Sequence, residues 1–221
     1  MRRASFVTLC GGALAAAQLA ERLTAAASAA EYKEFNRVKL VDTAGNSLRA
    51  QSLFTTEAYV FRYPYNATPC FLIDLGKRPG SGGVGPRGTI VAFTAICAHQ
   101  LSYPTASASP IAYSPGESHV AGRPGVIVCC AHLSVYDPAQ DGRVVSGPAP
   151  QPLTAIALEY TALNDELYAT GVIGGDRFDD FFKAFKGDLV AALGPGVPRR
   201  LVAETSTVVP LSKFTTESLY C

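Results

Sequence analysis

The sequence predicts an all-β domain that ends in one amphipathic helix and carries a small metal-binding subdomain built from two loops. Three observations lead to this prediction. Short apolar runs separated by turn residues fill residues 37–173. Two clusters of Cys and His each follow one of these runs. In residues 176–193 the apolar spacing changes to three and four residues, which is typical of a helix packed on one side.

The first thirty residues have the pattern of an export signal. Arg2 and Arg3 precede an apolar run over residues 6–20, and small residues fill positions 27–30. Adjacent arginines are typical of the twin-arginine route. We therefore expect residues 1–30 to direct the protein to the periplasm and to be cleaved near Ala30. A retained anchor is the alternative, and only then do we expect membrane contact.

The strands follow in order, separated by segments rich in turn residues. The turn sequence at 44–47 predicts a hairpin between its flanking strands, and the Gly- and Pro-rich segment 77–88 predicts a loop. Residues 105–124 are rich in Ser, Ala, Pro and Gly, so we expect a surface insertion with a solvated His119. The predicted strands are residues 38–41, 52–54, 71–75, 89–96, 126–128, 153–160 and 166–173.

The chain after the last strand is predicted to hold a helix and a tail. Asp176 is a suitable N-cap, and Gly194-Pro195-Gly196 is a stop signal. We expect the helix to pack on its own domain; a seam with a partner or a membrane surface is the alternative. Residues 197–221 show no clear period and are expected to lie extended, with a partner as one possible support. We thus divide the chain into a domain over 35–175 and a helix with tail over 176–221.

The two Cys/His clusters are candidate ligands of a metal centre. Cys97 and His99 form a C-x-H pair, and Cys129 and His132 form a C-x-x-H pair. Two thiolates and two imidazoles can hold one tetrahedral zinc ion. They can equally hold a two-iron, two-sulfur cluster in which two Cys bind one iron and two His bind the other.

The residues after the second pair favour the cluster. His132 begins the run H-x-S-x-Y-D, which contains Ser134 and Tyr136, and Gly-Pro-Ala-Pro follows at 147–150. This pattern resembles the Rieske iron–sulfur proteins and implies a Rieske-type antiparallel β-sandwich with a small cluster-binding subdomain. In such a protein, Ser134 is expected to donate to a bridging sulfide and Tyr136 to the sulfur of Cys97.

The same resemblance implies the ligands of a Rieske [2Fe–2S] cluster. Cys97 and Cys129 would hold the inner iron, and His99 and His132 the outer one. Because imidazole is neutral, such a cluster accepts an electron more readily than one held by four thiolates. Hydrogen bonds to its sulfurs act in the same direction.

The sequence departs from the Rieske pattern near both pairs. Many members have two further cysteines that join the loops, but Ser102 and Ala131 occupy those positions here, so that clamp is absent. We expect Cys130 to be a buried free thiol rather than part of a new bridge, and we leave Cys221 unassigned. Gln100 stands where quinol-oxidising members carry Leu, which speaks against docking on a cytochrome b.

A closer resemblance extends over residues 35–178. The runs 58–64, 68–76, 83–86 and 90–97 are similar to the small subunit of arsenite oxidase. This resemblance implies one-electron transfer in an exported oxidoreductase, with a large molybdopterin subunit and a c-type cytochrome as partners and no substrate site on this chain. A Rieske subunit of a quinol–cytochrome c oxidoreductase and a zinc-stabilised binding module without redox function are the alternatives.

Composition excludes one further class of partner. The net charge is +1, and charged residues make up only 17% of the chain. Electrostatic binding of nucleic acid requires a strongly basic face. We therefore expect no nucleic-acid partner.

Overall fold

The computed structural model describes residues 31–221. Tyr32–Cys221 form one compact unit, and the expected export signal lies outside the described residues. Within the described part of the chain, no helix combines the length and apolar character needed to cross a membrane.

The described chain consists mainly of β-strands. The strands are β1 (Tyr32–Val41), β2 (Ala58–Arg62), β3 (Pro69–Asp74), β4 (Ile90–Thr94), β5 (Ala108–Ser109), β6 (Ile111–Ser114), β7 (Val126–Cys129), β8 (Ser134–Asp137), β9 (Arg143–Ser146), β10 (Ala155–Thr161), β11 (Glu166–Ile173), β12 (Thr205–Thr207), β13 (Val209–Pro210) and β14 (Glu217–Ser218). The helices are α1 (Phe178–Ala184), α2 (Lys186–Leu193) and α3 (Leu211–Phe214), with a 3-10 turn at Ala50–Ser52. The predicted all-β class is confirmed.

The large sheet has the strand order β12-β1-β11-β10-β4-β3-β2-β13. Its pairs are antiparallel except β12 beside β1. Its two edges are joined by one short segment, because β12 pairs with β1 and β13 pairs with β2 only two residues later. The sheet thus closes around a core to which both halves contribute, with Leu40 and Leu167 from one half and Phe61 and Leu72 from the other.

The central strands β2 and β3 are buried on both faces. In β3, Cys70 and Leu72 point into the core of the large sheet, whereas Phe71 and Ile73 pack against the small sheet on the other side. Successive side chains of a strand point to opposite faces. A strand between two cores therefore has a continuous apolar run in its sequence, as residues 70–73 do. Cys70 is a core residue, as predicted.

The small sheet has the order β6-β7-β8-β9 and carries the second Cys/His pair. Its first strand lies in the segment predicted to be a surface insertion. Ile111 is fully buried there and pairs with Cys129. That part of the prediction was wrong, because four residues between two prolines showed too few apolar positions to be recognised without their partner strand. His119 in the same segment is exposed, as predicted.

The strands predicted around the two Cys/His pairs are present, but the N-terminal hairpin is shorter than predicted. After β1 the chain turns at residues 42–46, and Ser47 pairs with Val41 in a single bridge. Ala50–Ser52 then form a 3-10 turn instead of the predicted return strand. The only side chain of that turn that reaches the core is Ala50, so a strand would gain little burial there.

The predicted C-terminal helix packs on its own domain, in two segments. Phe178, Phe181 and Leu189 are buried in the core of the large sheet. The segments meet at Phe185, whose backbone leaves the helical region and whose ring packs 4.9 Å from that of Tyr103. The N-cap is Arg177, without a side-chain cap hydrogen bond, so the prediction of Asp176 as N-cap was wrong by one residue. Asp176 accepts a hydrogen bond from the N–H of Phe178 at 3.2 Å from the position before the cap.

The tail contacts the domain's own strands. β12 and β13 join the two edges of the large sheet, and β14 pairs with β5 beside the small sheet. Main-chain hydrogen bonds hold these short strands. Strands held in this way show no periodic pattern in the sequence. The tail could therefore be predicted to be extended, but the strands with which it pairs could not be predicted.

Candidate metal centre

The two Cys/His loops share one backbone geometry. The N–H of Leu101 donates to the carbonyl of Cys97 at 2.9 Å, and the N–H of Leu133 donates to the carbonyl of Cys129 at 2.8 Å. Both leucines adopt a left-handed backbone conformation, with φ of 62° and 60°. Such a conformation costs about 1–2 kcal/mol for an L-residue. Its presence at matching positions shows that both loops are held in a specific turn.

The two thiols of the centre are buried side by side. Cys97 and Cys129 are 0% exposed. Cys129 is the last residue of β7, and Cys97 follows the end of β4 by three residues. A hydrogen bond from the Cys129 thiol lowers the pKa of Cys97 below its ordinary value. The pKa of Cys129 is raised, because it holds the shared proton next to the Cys97 thiolate. The fold therefore stabilises negative charge on sulfur in a buried position, which suits a metal ligand.

The backbone supplies further hydrogen bonds to both sulfurs. In each loop, the N–H groups two and three residues after the cysteine act on its thiol and lower its pKa. These are the N–H groups of His99 and Gln100 for Cys97, and those of Ala131 and His132 for Cys129. Donors of this kind favour the thiolate form.

The two histidines form a second pair nearer the surface. The rings of His99 and His132 lie 4.8 Å apart at an interplanar angle of 83°. Both residues are partly exposed, in contrast to the cysteines. Their Nδ1 atoms are nevertheless buried and have no hydrogen-bond partner. A buried imidazole nitrogen without a partner is unusual in a folded protein and is expected for a metal ligand.

The side chains of Ser134 and Tyr136 lie beside the thiols. The hydroxyl of Tyr136 accepts a hydrogen bond from the N–H of Ala98 at 3.1 Å and lies 3.2 Å from the sulfur of Cys97. Its own proton is therefore available to that sulfur. Burial, followed by the contact with Cys97, raises the pKa of Tyr136, so the phenol remains a donor. Ser134 pairs with Cys129 across the small sheet, and its buried Oγ has no partner.

The Gly-Pro-Ala-Pro segment packs directly against the second loop. Gly147 has φ of 90°, and a Cβ at this position would overlap the carbonyl of Leu133 and approach the Cα of Ser134 to 2.6 Å. Only glycine allows this close approach without a shift of the backbone. The contact explains why glycine precedes the first proline.

Two groups of supporting residues were not recognised in the sequence. Asp137 is fully buried and accepts hydrogen bonds from Arg78 at 3.3 Å and from Arg123 at 2.6 Å. Arg177 donates from Nη1 to the carbonyls of Ala98 at 2.6 Å and His99 at 3.1 Å. Asp137 could have been found from its place in the motif; its partners and Arg177 carry no local signal.

The second loop is joined to the tail by a disulfide. Cys130 and Cys221 form this bond across 91 positions of sequence. The expectation that Cys130 is a free buried thiol was therefore wrong. The Oγ of Ser118 also donates to the carbonyl of Cys221 at 2.8 Å, which fixes the end of the tail on the segment before β7. No sequence pattern indicated that the tail returns to this loop.

The four predicted ligands thus form two pairs. Among the described residues, no group of three or more His, Cys, Asp or Glu is placed to hold a single metal ion. Each pair instead supplies two ligands of one type. In a Rieske cluster, each iron takes two protein ligands of one type.

Comparison with known proteins decides the family. The model of the Rieske [2Fe–2S] domain matches residues 51–158. The chain is 33% identical over 174 residues to iodate reductase subunit IdrB of Denitromonas iodatirespirans, with 79% of this chain and 82% of that relative covered. The chain belongs to the Rieske family. This Rieske protein is also 34% identical over 123 residues to iodate reductase subunit IdrB of Pseudomonas sp. (strain SCT), covering 56% of this chain and 57% of the relative.

A solved structure is similar as well. The soluble domain of Rieske protein II (soxF) from Sulfolobus acidocaldarius aligns with 64% of this Rieske chain and 82% of its own, at 28% identity and a TM-score of 0.47.

The cofactor of the Rieske protein is a Rieske-type [2Fe–2S] cluster. The residues present fit such a group. Two buried thiols and two unpartnered imidazole nitrogens are the required ligand atoms, and the free Oγ of Ser134 adds a donor beside them. The family assignment therefore replaces the zinc module as an interpretation of these residues.

Proposed function

We propose that the protein transfers single electrons through its Rieske cluster as the small subunit of an exported molybdenum oxidoreductase of the arsenite oxidase type. In this proposal, Cys97 and Cys129 hold the inner iron, and His99 and His132 hold the outer iron. The observation that carries it is the separation of the ligands into a buried thiol pair and a partly exposed imidazole pair with unpartnered Nδ1 atoms. When bound, the cluster supplies a site that takes up and releases one electron at a time.

The chain's own residues prepare the centre for this role. Tyr136 and the N–H groups of the two loops provide hydrogen bonds to the cysteine sulfurs, which stabilise added negative charge. Burial keeps water from the thiols, whereas the histidines reach the surface. Leu133, next to His132, is 50% exposed. An electron can therefore enter or leave on the histidine side, where a partner can dock against apolar surface.

A large catalytic partner is supported by two lines of argument. The resemblance to the arsenite oxidase small subunit implies a molybdopterin subunit as partner and a c-type cytochrome as the other redox partner. The relatives in Denitromonas and Pseudomonas are named as subunits of a reductase. In this proposal, the large subunit binds and converts the substrate, and this chain only transfers electrons.

The names of the relatives favour a second direction of electron flow. In an arsenite oxidase, electrons leave the large subunit and pass through the small subunit to a cytochrome. In an iodate reductase, they must run from a donor toward the large subunit, because iodate is reduced. Both directions use the same cluster and the same ligands, so the chemistry at Cys97 and His99 is unchanged.

Export to the periplasm is part of the proposal. Arg2 and Arg3 with the following apolar run are typical of a twin-arginine signal. The disulfide between Cys130 and Cys221 is of a kind that persists outside the reducing cytosol. The test is the double variant Arg2→Lys/Arg3→Lys: we expect it to accumulate in the cytoplasm, whereas a periplasmic product of normal amount would contradict this route.

The cluster assignment is tested by metal and sulfide analysis of the purified chain. We expect two irons and two acid-labile sulfides per chain, visible absorption, and a paramagnetic signal on reduction. His99→Ala and His132→Ala are each expected to remove the signal. His119→Ala is the matched control, since His119 is exposed and belongs to neither loop. One zinc with no labile sulfide would overturn the proposal.

The partner assignment is tested by co-purification from the native organism. A large molybdenum protein in stoichiometric amount supports the proposal, and its oxidation of arsenite or reduction of iodate distinguishes the two directions. Co-purification of a cytochrome b instead would favour the quinol–cytochrome c alternative. Gln100, which is exposed beside His99, speaks against that outcome.

A further inference from the structure

Arg177 links the first cluster loop to the C-terminal helices. Its Nη1 atom donates to the carbonyls of Ala98 at 2.6 Å and His99 at 3.1 Å. Its Nε and Nη2 atoms donate to Oδ2 of Asp180 at 3.1 and 2.9 Å. One guanidinium thus spans the backbone of a proposed ligand and the first turn of α1.

This guanidinium is the charged group in direct contact with the loop. Residues 97–101 and 129–133 contain no acidic side chain and no Lys or Arg. Among the described residues, no other charged side chain donates to a carbonyl of residues 97–101. The Arg177 side chain is 28% exposed, whereas that of Asp180 is 60% exposed. The positive charge is therefore less screened by water than the negative one.

A fixed positive charge near the centre has a defined electrostatic effect. Arginine remains protonated at every physiological pH. Uptake of an electron adds negative charge to the centre, and a nearby cation stabilises that charge. A carboxylate paired with the cation opposes the effect, but less strongly here because it lies further into solvent.

We propose that Arg177 is a positioning residue for His99 and raises the reduction potential of the cluster, and that Asp180 moderates this effect. The inference rests on the proposed function, because it requires the cluster at Cys97 and His99. It assigns to the C-terminal helix a role in setting the potential of a centre whose ligands all lie elsewhere in the chain.

The test is a redox titration of the cluster in the full chain, followed by visible absorption and electron paramagnetic resonance. Arg177→Gln should shift the midpoint potential to lower values. Asp180→Asn should shift it to higher values, because it removes the opposing charge. Arg177→Lys keeps the positive charge but loses the double contact with the two carbonyls. Its midpoint potential should therefore lie closer to the wild-type value than that of Arg177→Gln.

A neighbouring ion pair provides the matched control. Arg199 and Asp179 lie 2.7 Å apart, and Asp179 belongs to the same helix α1, but among the described residues neither forms a hydrogen bond to residues 97–101. Arg199→Gln and Asp179→Asn should therefore leave the potential at the wild-type value. A purely structural role of the helix would not produce shifts of opposite sign at Arg177 and Asp180.

The outcomes separate the inference from the proposed function. Opposite shifts at the two positions with unchanged controls support it. Shifts of the same sign, or shifts no larger than those of the controls, overturn it while the cluster itself remains established. If Arg177→Gln fails to retain the cluster, Asp180→Asn decides alone: a raised potential supports the inference and an unchanged one overturns it. A wild-type chain without a cluster would instead refute the proposed function.

Discussion

A single hydroxyl, that of Tyr136, connects the small sheet to the thiol pair. Because it accepts from the N–H of Ala98, its orientation is fixed and its proton is directed to the sulfur of Cys97. The offset of Tyr136 from His132 allowed this contact to be predicted from the sequence. The partner of the hydroxyl oxygen could not be predicted, since it depends on how β8 meets the first loop.

We predict that Tyr136→Phe lowers the reduction potential and leaves the cluster bound. The variant removes one hydrogen bond to sulfur but keeps the buried ring. Redox titration measures the shift. Tyr113→Phe is the control: Tyr113 is buried in β6, which β7 separates from β8 in the small sheet, and its hydroxyl makes no hydrogen bond among the described residues. Equal potentials in wild type and Tyr136→Phe would contradict the hydrogen bond assigned between Tyr136 and the sulfur of Cys97.

Gly147 illustrates a different kind of constraint, set by space rather than by charge. We predict that Gly147→Ala weakens the second loop and accelerates loss of the cluster in urea. Alanine at positive φ costs about 1–2 kcal/mol, and overlap with Leu133 and Ser134 adds to this cost. Gly174→Ala is the control, since Gly174 has φ of 87° but nothing within 4 Å of an added Cβ. Equal sensitivity of both variants to urea would contradict the proposed packing.

At the scale of elements, the centre depends on strands that meet from distant parts of the chain. Asp137 ends β8 and joins Arg78 of the loop after β3 to Arg123 of the segment before β7. Burial favours the neutral form of Asp137. The hydrogen bond from Arg123, with that from the N–H of Ala139 and the charge of Arg78, outweighs burial and lowers its pKa below the ordinary value of 3.8.

The lowered pKa predicts how stability depends on pH. A carboxyl group whose pKa is lower in the folded state stabilises the fold above its unfolded pKa, and this contribution is lost as the pH falls through the folded pKa. We expect Asp137→Asn to lower the free energy of unfolding at pH 7 by about 2 kcal/mol, a value typical of lost hydrogen bonds to a charged group. Urea unfolding at pH 7 and at successively lower pH should show the difference from wild type shrinking below pH about 4.

Glu159→Gln is the matched control for this pH dependence. Glu159 pairs with Arg37 at 2.7 Å, but both side chains are nearly half exposed. Exposed pairs contribute about 0–1 kcal/mol. A loss at Asp137→Asn no larger than that at Glu159→Gln, or one independent of pH, would show that the buried carboxylate does not stabilise the fold.

The elements that could be predicted are those whose own side chains supply the burial. Strands β3, β4 and β11 carry enough apolar residues to be recognised alone, and the aromatic positions of α1 identify a helix. Strands β6 and β12 are fixed by main-chain pairing with partners far away in sequence. Two motifs therefore sufficed to name the proposed ligands, but not the contacts made by Arg177 or Cys221.

At the scale of the whole molecule, the tail connects the large sheet to the centre. It closes the large sheet through β12 and β13, pairs β14 with β5, and ends in a disulfide to Cys130 in the second cluster loop. Many Rieske proteins join their two loops to each other; here Ser102 and Ala131 preclude that bond, and the loop is tied to the tail instead. The tail is thus a structural part of the cluster-binding subdomain.

We predict that Cys221→Ser lowers the free energy of unfolding by about 2–4 kcal/mol, because a crosslink across a long loop restricts the unfolded chain. Cluster loss in urea should occur at a lower urea concentration in the variant, since Cys130 adjoins the proposed ligand Cys129. A thiol reductant should lower the free energy of unfolding of the wild type by the same amount as the substitution does. It should have no effect on Cys221→Ser, so this variant is the control for the reductant. Alkylation with and without reduction counts the thiols: if Cys130 reacts in the unreduced protein, the disulfide is absent and the tail does not hold the loop.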